Sequence, residues 1–282
     1  MVSEKLPMLY AIGTHLAEYK ARASVDSSDS TNLLHQDEYA RKYGFSSGIV
    51  SGVSIYSYMS RSLVEFLGVD WLERGSAEVR FIHPVYDGDE IRVSGCLASV
   101  TEEGTLCIDY QATNSHGIAC AEGTAALPVS RQTPEPLAGN YAAGRRKMHR
   151  PITIETLKVG EELTPIKSPF TWNIHWEYCQ KVIRDHHPVY HRLMHPGWLL
   201  SQASLILAAN YAMPPWIHVS SSVQNYQALS AEGEVETRGR VENKYEEKGA
   251  HYVVLDLGVF SQDRCLSAIH HTAIFRIAPE AA

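Results

Sequence analysis

The feature that most constrains this chain is a degenerate internal repeat. Residues 52–67 and 197–211 are each apolar at helical length. In the first, Val53, Tyr56, Met59, Leu63 and Phe66 trace one helical stripe, while Ile55 and Tyr58 lie off it. A helix that is apolar nearly all round must be buried. Each predicted helix starts at a glycine, Gly52 or Gly197, after a turn rich in glycine or containing proline. Strand-like segments follow each helix in the same order. They read 77–82, 89–94, 105–112 and 118–127 in the first half. In the second they read 219–226, 233–241, 252–260 and 266–277.

The two halves can be placed in register. Ser76 matches Ser220, Val79 matches Val223, Glu90 matches Glu234 and Gly95 matches Gly239, all 144 residues apart. The helix-starting glycines are 145 apart, and Thr124-Ala125 matches Thr272-Ala273 at 148. Loops absorb such drift. Between the halves, residues 128–150 hold three prolines, an Ala138-Gly139-Asn140 turn and the basic triplet Arg145, Arg146 and Lys147. That composition suits an exposed connection. The expected division is a domain over 1–130, a linker over 131–150 and a second domain over 151–282.

One long buried helix followed by antiparallel strands, twice, predicts an α+β fold in which each helix is wrapped by a curved sheet. A parallel α/β fold would need alternating helices. With 44% hydrophobic and 20% charged residues, the 282-residue chain can bury sizeable cores. A net charge of −7 argues against a basic field for nucleic acid or anionic lipid. The cysteines, Cys96, Cys107, Cys120, Cys179 and Cys265, are odd in number and widely spaced, which suggests neither a disulfide framework nor a zinc knuckle. Met1–Lys5 lacks a signal pattern, and no apolar run has spanning length. A cytoplasmic protein is the expectation.

The stretch Asn32 to Ala40, with His35 and Asp37, leads through Tyr43-Gly44 and Ser51 to Gly52. It resembles the active-site stretch of the MaoC-like (R)-specific enoyl-CoA hydratases and 3-hydroxyacyl dehydratases. In that family an Asp-x-Asn-Pro-hydrophobic-His-x-Asp pattern precedes an aromatic-glycine turn and a helix-starting glycine. Val79–Ile91 resembles the next strand pair. The resemblance covers nearly the whole chain once both halves are counted. It implies a double hot-dog whose halves form a pseudo-dimer, the second half being the MaoC-like C-terminal domain. It implies a substrate that is an acyl thioester of CoA or acyl carrier protein, and a chain that can pair again as a homodimer.

The chemistry so implied is the addition of water to an enoyl thioester, or its reverse. Asp and His activate the water, and a backbone N–H at a helix N-terminus stabilises the charge that builds on the thioester oxygen. Gly52, after Ser51, and Gly197 stand where such an N–H is wanted, since glycine lets a ligand approach the backbone closely. His35 takes the family's histidine position, and Asn32 its asparagine, where it equally suits a helix N-cap. The aspartate five positions before His35 is missing, because Ser30 stands there and Asp29 and Asp26 are out of register. In the second half Asp185 holds the aspartate position, but Tyr190 replaces the histidine. Neither half has the complete pair.

Three readings stay open. A loop shift brings Asp29 or Asp26 to His35; or the site uses His195 or Tyr190 with Asp185; or both sites are degenerate and the chain binds acyl thioesters without turning them over. A thioesterase is the alternative enzyme, since one scaffold serves several chemistries. His187, His191 and His195 stand at i, i+4 and i+8, but Pro188 and Pro196 break any continuous helix, so neither a metal nor another cofactor is expected. Of His270 and His271 in a strand pattern, one must point inward, which reads as a core histidine.

Overall fold

Ser51 starts the first central helix. Its hydroxyl accepts from the Ser54 N–H at 3.1 Å, the usual service of an N-cap serine. Gly68, at a φ of +71°, follows the last helical residue. The computed structural model describes residues 11–25, 32–134 and 149–278. Met1–Lys5, Asp26, Asp29, Ser30 and the triplet Arg145–Lys147 lie outside the described residues.

The helices are α1 (Asp37–Lys42), α2 (Gly52–Leu67), α3 (Val69–Arg74), α4 (Trp172–Glu177) and α5 (Pro196–Asn210). The first-half strands are β1 (Tyr19–Arg22), β2 (Ser76–Phe81), β3 (Glu90–Val100), β4 (Leu106–Asn114) and β5 (Ala119–Leu127). Those of the second half are β6 (Ile166–Phe170), β7 (Ile217–Asn225), β8 (Gly233–Glu247), β9 (Ala250–Ser261) and β10 (Arg264–Arg276). All ten form one antiparallel sheet in the order β1-β3-β4-β5-β2-β7-β10-β9-β8-β6. The predicted helix 52–67 is α2, and the predicted 197–211 lies one residue from α5. Each anticipated strand is present. The short β1, α3, β6 and α4 carry too few residues for a periodic signal.

The repeat is a physical symmetry. β2 meets β7 antiparallel, and Glu78 faces Ser222, its own counterpart 144 residues on. The pairs Ser76–Gln224 and Arg80–Ser220 are images of each other about that point. Register shifts recur at the same place in both halves, between Leu97 and Ser99 in β3 and between Val241 and Asn243 in β8. Such bulges bend a strand and raise its twist, letting the sheet curl round a helix. Gly95 and Gly239 match because a Cβ at either would come within 2.5 Å of the carbonyl of Asp109 or Asp256 on the neighbouring strand. One correction follows from the pairing. Ala77 faces Ala125 while its counterpart Ser221 faces His271, so His271 corresponds to Ala125 and Thr124 to His270. The sequence match of Thr124 with Thr272 is two residues out. A two-residue slip keeps every side chain on its own face, so the alternation could not reveal it.

The two central helices touch where α5 begins. A Cβ on Gly197 would lie 1.8 Å from Ser57 Oγ and 2.6 Å from the Tyr178 hydroxyl. Ser57 is fixed there, donating to the Val53 carbonyl at 2.8 Å and bonded to the Tyr178 hydroxyl at 2.8 Å. Buried Tyr56, Met59 and Leu63 on α2 and Leu200, Ala203 and Ile206 on α5 belong to one continuous core. No helix among the described residues is long and apolar enough to cross a membrane.

Because Gly197 is the contact point, Gly197→Ala should destabilise the chain by about 1–3 kcal/mol, the usual cost of overpacking. Ser57→Ala removes the nearest atom, so the double variant should lose less than the sum of the two singles. Urea unfolding of the four proteins measures this. Additive losses would mean the helices do not meet at this point.

Candidate active site

His35 closes a single 3-10 turn, Leu33–His35, whose cap is Asn32. The Asn32 side-chain oxygen accepts from the Leu34 N–H at 3.2 Å and the Trp216 N–H at 3.3 Å, and its amide donates to the Trp216 carbonyl at 2.8 Å. Asn32 is therefore both cap and clamp, tying the His35 turn to the backbone of the second half. Asp37 accepts from the Gly48 N–H at 2.9 Å and pairs with Arg41. Its carboxylate is spent on folding the 44–51 loop back over the turn. The Ile49 carbonyl then receives a hydrogen bond from His35 Nδ1 at 2.6 Å. A carbonyl only accepts, so Nδ1 carries the hydrogen and Nε2 is the nitrogen that can exchange a proton.

His35 lines a cavity of about 270 Å3 that the two halves share. Ser51, Gly52 and Val53 form one wall, and Trp216, Ile217, His218 and Ser204 another. Phe45, Ile49, Ile55, Phe81 and Val85 keep it apolar. With Ser54 capped and Ile55 bonded to the Ser51 carbonyl, the Gly52 and Val53 N–H groups are the helix's unsatisfied donors. His35, the N-terminus of α2 and an apolar pocket are thus brought together. No Asp or Glu lines this cavity among the described residues.

The second half arranges the same elements differently. Asp185 Oδ1 accepts from the His187 N–H at 2.9 Å and from Arg61 of α2 at 2.7 Å, while Oδ2 stands 3.5 Å from His195 Nε2. The last separation is long for a hydrogen bond, so it acts as a weak electrostatic contact. His195 Nδ1 accepts from the Gly197 N–H at 3.0 Å, which fixes the proton on Nε2, facing Asp185. His175 Nε2 in turn accepts from the His195 N–H at 2.9 Å. Tyr190 packs its ring 4.3 Å from that of His195. Asp185, Tyr190 and His195 are 2%, 3% and 0% exposed, so solvent does not reach them. They come together, but the Gly197 N–H is occupied by an imidazole of the protein itself. Asp185 and His35 do not meet. Arg61, the partner of Asp185, lies nine residues along α2 from Gly52, roughly 13 Å of helix.

Burial alone would raise the Asp185 carboxyl. The facing His195, the His187 N–H and Arg61 outweigh it and hold it at about 2. Burial pushes His195 down, and burial with the neighbouring His195 brings His175 to about 4. His218 is lowered by burial and by His271, and burial brings His271 to about 3.

Sequence reasoning missed Arg61, Trp216, His218 and Ser221. Arg61 carried a signal, since it and Glu65 are the charges in an otherwise apolar helix. His271 does point inward, and it is part of a buried chain: His218 Nε2 to Ser221 Oγ at 2.8 Å, and Ser221 Oγ to His271 Nδ1 at 3.1 Å. His218 Nδ1, His271 Nε2 and Trp216 Nε1 are buried without partners. Each such atom costs about 1–3 kcal/mol. No three His, Cys, Asp or Glu side chains group as a metal site among the described residues.

No family model and no curated protein matches the sequence. Solved structures do match. One, described as a putative MaoC domain dehydratase from Chloroflexus aurantiacus, is 11% identical with a TM-score of 0.69, over 98% of this chain and 100% of that one. A MaoC-like dehydratase is 12% identical with a TM-score of 0.63, over 93% and 98%. A conserved hypothetical protein from Mycobacterium tuberculosis, described as a double hot-dog, is 12% identical with a TM-score of 0.59, over 94% and 96%. The chain has the MaoC-like tandem hot-dog fold. At these identities the likeness speaks for the fold alone. Within this tandem hot-dog, the open helix N-terminus lies in the first half and the filled one in the second.

Two effects of pH on stability follow. Asp185 falls from an ordinary 3.8 to about 2 on folding, so its ion pairing stabilises fully above about pH 4 and is lost as pH falls towards 2. The buried histidines sit below 6.5 and take protons more readily when unfolded, so stability already declines as pH drops below 6.5. Arg61→Met removes the guanidinium that faces the buried Asp185 carboxylate and should cost about 3–5 kcal/mol at pH 7. That cost should shrink below pH 4 in denaturant titrations. A pH-independent cost would rule out the ionised pair.

Proposed function

We propose that this chain is an acyl-thioester enzyme with one working site, the first cavity. It interconverts an enoyl thioester of CoA or acyl carrier protein with the 3-hydroxyacyl thioester. The observation that carries the reading is His35, its Nδ1 tied to the Ile49 carbonyl, lining an apolar cavity together with the open N-terminus of α2. In hydration, His35 Nε2 takes a proton from water as the water oxygen bonds to C3. The C2=C3 electron pair moves towards the thioester, whose oxygen gains charge that the α2 N–H groups stabilise. C2 then collects a proton, so one water is added in total. Asp29, or Asp26, is the carboxylate expected to assist His35. Asp185, Tyr190 and His195 are the second half's counterpart, closed and structural, with Gly197 needed for helix packing. Ser51 and Gly52 line the acyl-binding wall. Residues 1–130 and 151–282 are then two hot-dog domains joined by 131–150, and two chains can pair.

Crotonyl-CoA is the first substrate to try, followed by the loss of its enoyl absorbance. His35→Ala should lower turnover at least about 100-fold. Asp29→Asn and Asp26→Asn should separate the assisting acid from the bystander. Unchanged turnover in His35→Ala removes His35 from the chemistry. Release of free CoA thiol would make the protein a thioesterase. A raised melting temperature with acyl-CoA and no turnover would make it a binding protein.

A further inference from the structure

We propose that His218, on the second half's strand β7, binds the thioester carbonyl oxygen in the first cavity together with the N-terminus of α2. This rests on the first cavity being an acyl-thioester site. His218 is 7% exposed, lines the cavity, and leaves Nδ1 without a partner. A Cβ on Gly52 would lie 2.7 Å from that nitrogen, so His218 Nδ1 stands directly against the first residue of α2. Phe81 fixes the ring edge-on, with centroids 4.6 Å apart. Two sources of hydrogen-bond donation, the helix terminus and the imidazole, therefore adjoin in one apolar pocket.

The chain behind His218 determines what Nδ1 can do. The Ser221 hydroxyl has one hydrogen and bridges two imidazoles. If it donates to His271 Nδ1, then His218 Nε2 carries a hydrogen and His218 Nδ1 is a bare acceptor. If it donates to His218 Nε2, then His271 Nδ1 donates to the serine and His218 Nδ1 carries a hydrogen. Burial holds both rings neutral, so these two arrangements are the choices at neutral pH. A carbonyl oxygen accepts only, and its arrival selects the second. The first half has no such chain, because the counterparts of Ser221 and His271 are Ala77 and Ala125. The device is confined to the half that faces the open helix terminus.

The test uses the full chain with butyryl-CoA, which has no double bond to hydrate, and its thioether analogue butyl-CoA, which lacks the carbonyl. Wild type should bind the thioester at least about tenfold more tightly, as hydrogen bonds from His218 and from the α2 N–H groups allow. His218→Leu should lower the ratio severalfold, leaving the part that the α2 N–H groups contribute. His218→Asn puts an amide where Nδ1 was and should retain the preference. In wild type, imidazole 15N shifts should show His218 moving to the Nδ1–H form with butyryl-CoA and not with butyl-CoA. That measurement decides the matter even where His218→Leu fails to fold. A wild-type ratio in folded His218→Leu, or no tautomer change, overturns the role of His218 and leaves the acyl-thioester reading intact. If wild type binds neither compound, both fall.

Discussion

Everything in this molecule depends on the antiparallel meeting of β2 and β7. That pairing closes the exposed edge each half would otherwise present and makes one sheet of two. It also sets the distance between the helices the sheet wraps, so α2 and α5 must meet closely. Glycine at 197 and the small Ser57 opposite it are consequences of that spacing. The Arg61–Asp185 pair then crosses from one half to the other beside the same contact. A change in any of these is felt at both sites, because both are built at the seam.

The two helix N-termini are equivalent by repeat but different in chemistry. Val50 occupies in the first half the place His195 holds in the second, at the offset that relates Gly52 to Gly197. Valine cannot accept a hydrogen bond, so the first helix leaves donors facing the cavity. His195 can, and it takes the Gly197 N–H. Ser51 and Pro196 differ in the same way, one offering a hydroxyl cap and the other removing an N–H. Two adjacent substitutions thus separate an open helix end from a filled one.

The fold was legible because its signals are local. Helical and strand periods and turn residues are read within short windows, the 144-residue offset by laying two such windows side by side, and the central helices fall within a residue of their expected bounds. The candidate site was legible only where its residues are neighbours in sequence, as His35, Asn32, Ser51 and Gly52 are. Asn32 was seen as a cap but not as a clamp, since its other partner is Trp216, 184 positions on. Arg61 and Asp185 are 124 positions apart. No period connects such pairs, and only the closure of the sheet brings them together. The match of Thr124 to Thr272 in place of His270 shows the same limit, because alternation fixes a face but not a position along it.

A duplicated chain relaxes a constraint that a symmetric dimer cannot escape. In a dimer of identical subunits every substitution appears at both sites. Here the halves diverge separately, and the buried polar residues show where they have done so. Where the halves agree, as at Gly95 and Gly239 or the paired bulges, the shared residue answers to backbone geometry. Where they differ with a buried cost, another cause is needed. Asp185 is held by Arg61 and the His187 N–H, while its Oδ2, His195 Nε2 and the Tyr190 hydroxyl are buried without hydrogen-bond partners in a site that solvent does not reach. His218 and Trp216 keep unpaired nitrogens at residues that line an open cavity, a cost of about 1–3 kcal/mol each. Apolar residues could fill that wall more cheaply. The persistence of polar nitrogens there is explained if an oxygen-bearing ligand, and not the protein, is their partner.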